Sequence, residues 1–201
     1  MMTMRSVLAA RLARLLLVAF SLCLSACGIA SISPFVSYDD QEFDPALLGR
    51  WQSTESTEFA LISGDSTKGY EIAYVDEDGA RGRFDARLGR LGGRRVFDIV
   101  PAELDLSREG HVYESLILRL HSFVIIDSVS PTDLFWRVID ADSLKDMLRR
   151  EPLALAHHAP HGEEWPVITA QTDEVRRFFD RVIRLPGMTT ESEHYVRKRH
   201  N

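Results

Sequence analysis

The sequence predicts a β-rich α+β domain, an antiparallel meander that curls into a barrel-like sheet and is followed by two short helices. Three observations predict it. Between Leu47 and Pro101, short segments alternate apolar with polar residues and break at turn residues about every ten positions, the spacing of a meander closing into a barrel or sandwich. Beyond residue 140 the apolar period lengthens from two to between three and four, which marks helices. With 45% hydrophobic and 27% charged residues in 201, the chain is composed like a globular protein with one ordinary core, not a disordered or fibrous one.

Arg50–Ser53 and Glu58–Ser63 read as the first strands, separated from the next by the turn Gly64-Asp65-Ser66-Thr67-Lys68-Gly69. Tyr70, Ile72 and Tyr74 alternate with Glu71 and Ala73, and Asp76-Glu77-Asp78-Gly79 has the residues of a hairpin turn. Phe84, Ala86 and Leu88 then alternate with Arg83, Asp85 and Arg87, a strand with one wet face. Leu91-Gly92-Gly93 turns the chain, and residues 94–100 run back until Pro101 stops them. The apolar run 116–129 is one or two strands, and Leu134–Ile139 follows the turn Ser130-Pro131-Thr132-Asp133.

Leu144, Met147 and Leu148 predict a helix over 142–150, ended by Pro152. Val175, Phe178, Phe179, Val182 and Ile183 repeat at i, i+3, i+4, i+7 and i+8, the clearest helical stripe in the chain. Thr172 stands as its N-cap, with Asp173 and Glu174 in the first turn. These elements place the globular domain at 46–186. Residues 27–45, small, Ser-rich and acidic, read as a tether, and the polar residues 187–201 as a loose tail.

The first 26 residues differ from the rest. They hold Arg5, Arg11 and Arg14, no acid, and an apolar run from Leu15 to Leu24. A basic start, a short apolar run and small residues are the pattern of a secretory signal. Ten residues are too few for a membrane span of ~20, and extending the run backwards would bury Arg11 and Arg14. Leu24-Ser25-Ala26-Cys27 resembles the lipobox of bacterial lipoprotein signal peptides. The resemblance implies cleavage before Cys27, a diacylglycerol thioether on its sulfur, and a membrane held through the N-terminal lipid as partner. Gly28, in place of the Asp that favours retention in the inner membrane, implies a lipid-anchored protein of the outer membrane facing the periplasm.

Cleavage there leaves 21 basic and 30 acidic residues, a formal charge of −9, and Cys27 as the one remaining cysteine. A disulfide within the mature chain is then excluded. So acidic a surface also argues against nucleic acid as a partner.

Gly49 and Trp51, with Arg50 between them, resemble the Gly-x-Trp motif that opens the first strand of lipocalins and other calycins. The resemblance implies a barrel closed at one end by Trp51 packed against a basic residue from elsewhere, so Gly49 and Trp51 are structural anchors. The later lipocalin motifs are not found. The order His121-Ser122-Phe123, Leu134-Phe135-Trp136, 142–148 and Ile168-Thr169-Ala170 before Thr172-Asp173-Glu174 is similar to a group of uncharacterised bacterial lipoproteins, and it implies no activity.

Candidate chemistry is sparse. His157, His158 and His161, with Glu163 and Glu164 beside them, suit a transition metal by ligand type, but Pro160 and Gly162 put them in a loop. Surface histidines in a polar loop are the commoner outcome. There is no Gly-x-Ser-x-Gly, no Ser-x-x-Lys and no glycine-rich loop opening a helix, so neither an enzyme nor a cofactor is called for. His121 reads as a satisfied histidine in an apolar strand. Two function classes remain. In one, Tyr70, Ile72, Tyr74, Phe84 and Leu88 line a barrel that holds a small apolar ligand. In the other, the same residues fill a dry core and the protein presents its surface to an envelope protein partner.

Overall fold

The computed structural model describes residues 29–102, 117–158 and 166–198. Its strands are β1 (Ala30–Ser31), β2 (Gly49–Ser53), β3 (Phe59–Asp65), β4 (Gly69–Val75), β5 (Arg81–Leu91), β6 (Arg94–Pro101), β7 (Ser122–Val129) and β8 (Asp133–Arg137). Helix α1 (Ala141–Arg150), β9 (His157–His158), β10 (Val167–Ile168), helix α2 (Thr172–Val182) and β11 (Glu193–Lys198) complete the order. β2 to β8 follow one another as an antiparallel meander, and β11 pairs with both β8 and β2 to close an eight-stranded barrel. β1, β10 and β9 form a separate small sheet. No helix among the described residues is long and apolar enough to cross a membrane.

Strand alternation explains the division of the apolar residues into two cores. Inward positions share one parity along each strand. Trp51, Ala60, Ile62, Tyr70, Ile72, Ala86, Leu88, Phe97, Ile126, Leu134, Trp136 and Tyr195 pack inside the barrel. The second core lies outside it. There Leu91, Val96, Phe123 and Ile125, on the outer face of β5 to β7, meet Leu144 and Leu148 of α1 and Val175, Phe178, Phe179 and Val182 of α2. Phe35, Phe123 and Phe179 meet edge to face, with ring centroids 4.7–5.3 Å apart. Because both faces of β6 are buried at its middle, Val96 to Val100 are apolar except for Asp98. The Gly92 N–H, in the β5–β6 turn, donates to the Asp180 carboxylate of α2 and fixes the helix to the sheet.

Three sequence expectations need correction. The helices do not finish the fold, because the tail at 187–201 contains β11. Of its inward positions only Tyr195 is apolar; Glu193 and Arg197 share that parity, so no alternation of apolar residues betrays a strand. Residues 29–45 are not a tether. Ile29, Ser31, Phe35 and Val36 are buried, and the segment is strapped across the outer face of β5 and β6. Phe35 and Val36 are adjacent, so they follow neither period. Helix α2 begins at Thr172, with Gln171 as an N-cap that makes no side-chain bond. Helix α1 is instead capped by Asp140, whose carboxylate accepts from the Ser143 N–H at 2.8 Å. The 116–129 run yields one strand, β7, within the described residues.

Candidate functional site

The two ends of the barrel are built differently. At the end where β2 begins and β11 ends, Trp51 is fully buried and its indole N–H donates to the Leu47 carbonyl at 2.8 Å. The Arg197 guanidinium lies over the Trp51 ring, 4.1 Å from its centroid. Its nitrogens donate to the carbonyls of Leu48, Ala46 (2.6 Å) and Pro131 (2.7 Å). One cation thus ties the first barrel strand, the last one and the β7–β8 turn together. Gly49 has φ +130°, and a Cβ there would come within 2.6 Å of the Arg197 guanidinium. The position therefore demands glycine twice over, by backbone angle and by space. Phe43 stacks on Tyr70 at 5.1 Å, Leu47 is fully buried, and Asp44 pairs with Arg95 at 2.7 Å. This end is sealed.

At the opposite end the inward side chains are part-exposed. Tyr74, Phe84, Ile99 and Val124 are half-buried there, above the buried rings of Trp136 and Tyr195. Two carboxylates join them. The Tyr74 hydroxyl donates to Glu58 at 2.8 Å, and the Trp136 indole N–H reaches Glu193 at 3.3 Å. The Tyr195 hydroxyl stands 3.3 Å from Glu58 and 3.1 Å from Glu193. Having one proton, it serves one carboxylate at a time. Burial, reinforced by these carboxylates, holds the phenols of Tyr74 and Tyr195 well above the usual tyrosine range.

The five residues assigned to a ligand therefore share one inner surface of β4 and β5 but not one environment. Tyr70, Ile72 and Leu88 belong to the filled middle and sealed end, where Tyr70 also packs on Phe97 at 4.9 Å. The Tyr70 hydroxyl takes the Asp44 N–H at 2.6 Å. Tyr74 and Phe84 belong to the open half. Glu58, Glu193 and Arg197 were missed from sequence. Each is a charged residue at an inward position near a strand end, a signal readable only once register is known.

A third site lies outside the barrel. Asp98, almost fully buried on the outer face of β6, accepts the backbone N–H of Phe35 at 2.8 Å and of Val36 at 3.0 Å. Its other oxygen is 2.8 Å from His121 Nδ1. His121 also exchanges backbone hydrogen bonds with Ser31 at 2.8 and 2.9 Å. The histidine is satisfied, as its surroundings in sequence imply, and its partner fastens the N-terminal strap. Beside this pair opens an external cleft of about 630 Å³, whose lining includes Tyr38, Lys68, Asp85, Arg87, Arg119 and His121. A second cleft of about 550 Å³ opens on the outward residues of β3 to β5, among them Leu61, Glu71 and Arg83.

The histidine cluster does not assemble among the described residues. His157 and His158 are neighbours in β9 and so face opposite sides, and His157 Nδ1 is held 2.8 Å from the Leu155 carbonyl. His161 lies outside the described residues, as does Cys27. No group of three or more potential metal ligands converges among those described. Compared with known proteins, the chain matches no family model, no curated protein and no solved structure.

Proposed function

We propose that the protein is a lipoprotein of the bacterial cell envelope, anchored through Cys27 to the outer membrane and facing the periplasm, whose barrel binds a small apolar ligand in its open half. The observation that carries the ligand reading is the asymmetry of the interior. One end is sealed by Trp51, Arg197 and Leu47, while Tyr74, Phe84, Ile99 and Val124 keep apolar surface accessible at the other. A small barrel filled at one end and open at the other is the arrangement that admits one small ligand. Glu58 and Glu193 give this mouth hydrogen-bond acceptors for a polar group on the same molecule.

The test is titration of the purified protein with an apolar, environment-sensitive naphthylamine dye. The expected result is saturable binding at one site that Val124→Trp, which fills the open half, abolishes. Binding that survives both Val124→Trp and Phe84→Trp would place the dye elsewhere and refute the reading. A second reading is favoured by the filled middle of the barrel, where Trp51, Ile62, Leu88, Phe97 and Leu134 are all buried, and by the outward position of both clefts. It takes the barrel as a solid scaffold that presents its outer surface to an envelope partner, and it requires that no dye binds. The anchor has its own test. Cys27→Ser should leave unprocessed precursor, and normal acylation and membrane recovery of that variant would remove the lipoprotein assignment.

A further inference from the structure

The geometry points to a domain seated directly on the bilayer, with the open half of its barrel at the lipid surface. This rests on the lipid anchor proposed above and deepens it.

Only Gly28 separates Cys27 from Ile29, which is already buried. A chain spans at most ~3.6 Å per residue, so Cys27 lies within about 11 Å of Ala30 in β1. Residues 29–45, which by composition alone would be a flexible spacer, are bound to the barrel by the Asp98 carboxylate and by burial of Phe35 and Val36. No slack remains between lipid and fold. The acyl chains of Cys27 would therefore fix which face of the domain meets the membrane.

That face can be traced through the pairing. Ser31 exchanges hydrogen bonds with His121, and the next residue, Ser122, pairs with Ile99 in the open half of the barrel. The strap then runs away from this point, past Glu42 opposite Leu88, to the sealed end at Leu47. The anchor accordingly enters beside the mouth, not beside the plug.

Three of the six large apolar side chains exposed among the described residues mark the same neighbourhood. Ile32 is 40% exposed, Leu118 64% and Leu153 98%. Ile32 follows β1 and donates to the Ile168 carbonyl of β10; Leu118 precedes His121 by three residues. Leu153 leads into Ala156, whose carbonyl accepts from Thr169 and Ala170 just beyond β10. Ile32 bonds the small sheet itself, and Leu118 and Leu153 each lie three residues along the chain from a residue hydrogen-bonded to β1 or to the segment just beyond β10. Their occupant is the lipid surface itself: acyl chains supply the affinity, and the apolar fringe sets the orientation. A ligand of the open half would then pass between bilayer and barrel without crossing bulk water.

The experiment uses the full-length, acylated protein in vesicles of phosphatidylethanolamine and phosphatidylglycerol that carry a headgroup nitroxide lipid. A fluorophore is attached through Leu118→Cys, Leu153→Cys or, in the β7–β8 turn at the sealed end, Thr132→Cys, each an exposed position. Intact mass first reads the diacylglyceryl group on Cys27; its absence removes the anchor reading and this inference with it. With the group present, loss of fluorescence at 118 and 153 but not at 132 is expected. A Gly-Ser insertion of about twelve residues after Gly28, reaching ~20 Å by coil dimensions, should weaken that contrast while acylation persists. Equal loss at all three positions, or greater loss at 132, overturns the seating and leaves the anchor standing.

Discussion

Replacing Asp98 by Ala should release the N-terminal strap without unfolding the barrel. The carboxylate is almost wholly buried and accepts two backbone N–H groups, from Phe35 and Val36, besides facing His121. Leaving a buried donor unsatisfied costs about 1–3 kcal/mol, so two orphaned amides cost about 2–6 kcal/mol. Burial of the Phe35 and Val36 side chains holds the strap with about 1.5–3 kcal/mol each, a comparable total. The strap in Asp98→Ala would therefore sit near balance and open locally, letting water reach both amides. Native-state hydrogen exchange reads this directly. Protection of the Phe35 and Val36 amides should fall by about a hundredfold or more, equivalent to about 2.8 kcal/mol at 1.4 kcal/mol per tenfold, while amides of the β2–β3 ladder keep theirs. Asp98→Asn, which keeps one acceptor oxygen, should lose less. If Phe35 and Val36 remain protected in Asp98→Ala, the carboxylate does not hold the strap and the reasoning fails.

Four other outcomes follow from the same geometry. Trp51→Ala should destabilise by about 3–5 kcal/mol in urea unfolding, since the ring is fully buried, and a change below about 1 kcal/mol would deny its role in the seal. Gly49→Ala should cost about 1–3 kcal/mol by the same assay, from its positive φ and the crowding of Arg197. Deleting residues 193–201 removes the strand between β8 and β2, so the product should lack a cooperative thermal transition. Tyr74 and Tyr195 ionise in the native state only above the ordinary tyrosine range, so their contribution is complete below pH ~10 and lost as pH rises beyond it. Stability should thus fall above that pH, and it should fall less steeply in Tyr74→Phe; ultraviolet absorbance of phenolate, followed with unfolding, checks both.

The meander was legible because β3, β4 and β5 carry apolar residues at every second, inward position and because Gly and Asp mark the turns that follow them. The helices were legible for a parallel reason, since α2 rests one apolar stripe on the sheet. What escaped were the segments whose burial obeys no period. Phe35 and Val36 enter the outer core as neighbours, held by a carboxylate about 60 residues away in sequence, at separations of 63 and 62. Asp98 itself left a trace, a single acid within the apolar run Val96–Val100, and a charge in that setting calls for a buried partner. The sequence alone could not name the partner, because backbone amides carry no side-chain signature.

β11 shows why the site was harder to read than the fold. A barrel strand that crosses from mouth to plug meets three environments, and its inward residues follow them in turn. Glu193 stands at the wet mouth, Tyr195 in the dry middle, and Arg197 over Trp51 at the seal. Only the middle position is apolar, so a rule that expects apolar residues along the whole inner face returns a loose tail. The same gradient divides β4, where Tyr70 packs under Phe43 while Tyr74 turns its hydroxyl to Glu58. Inward charge at strand ends is therefore the signal of where this barrel opens and where it closes. It becomes readable when two strands are aligned, because Glu58 and Glu193 come together through the shared hydroxyl of Tyr195. The carboxylates at one end and the guanidinium at the other follow from that order: acceptors face the mouth, and the cation is spent on carbonyls and an indole ring to shut the far end.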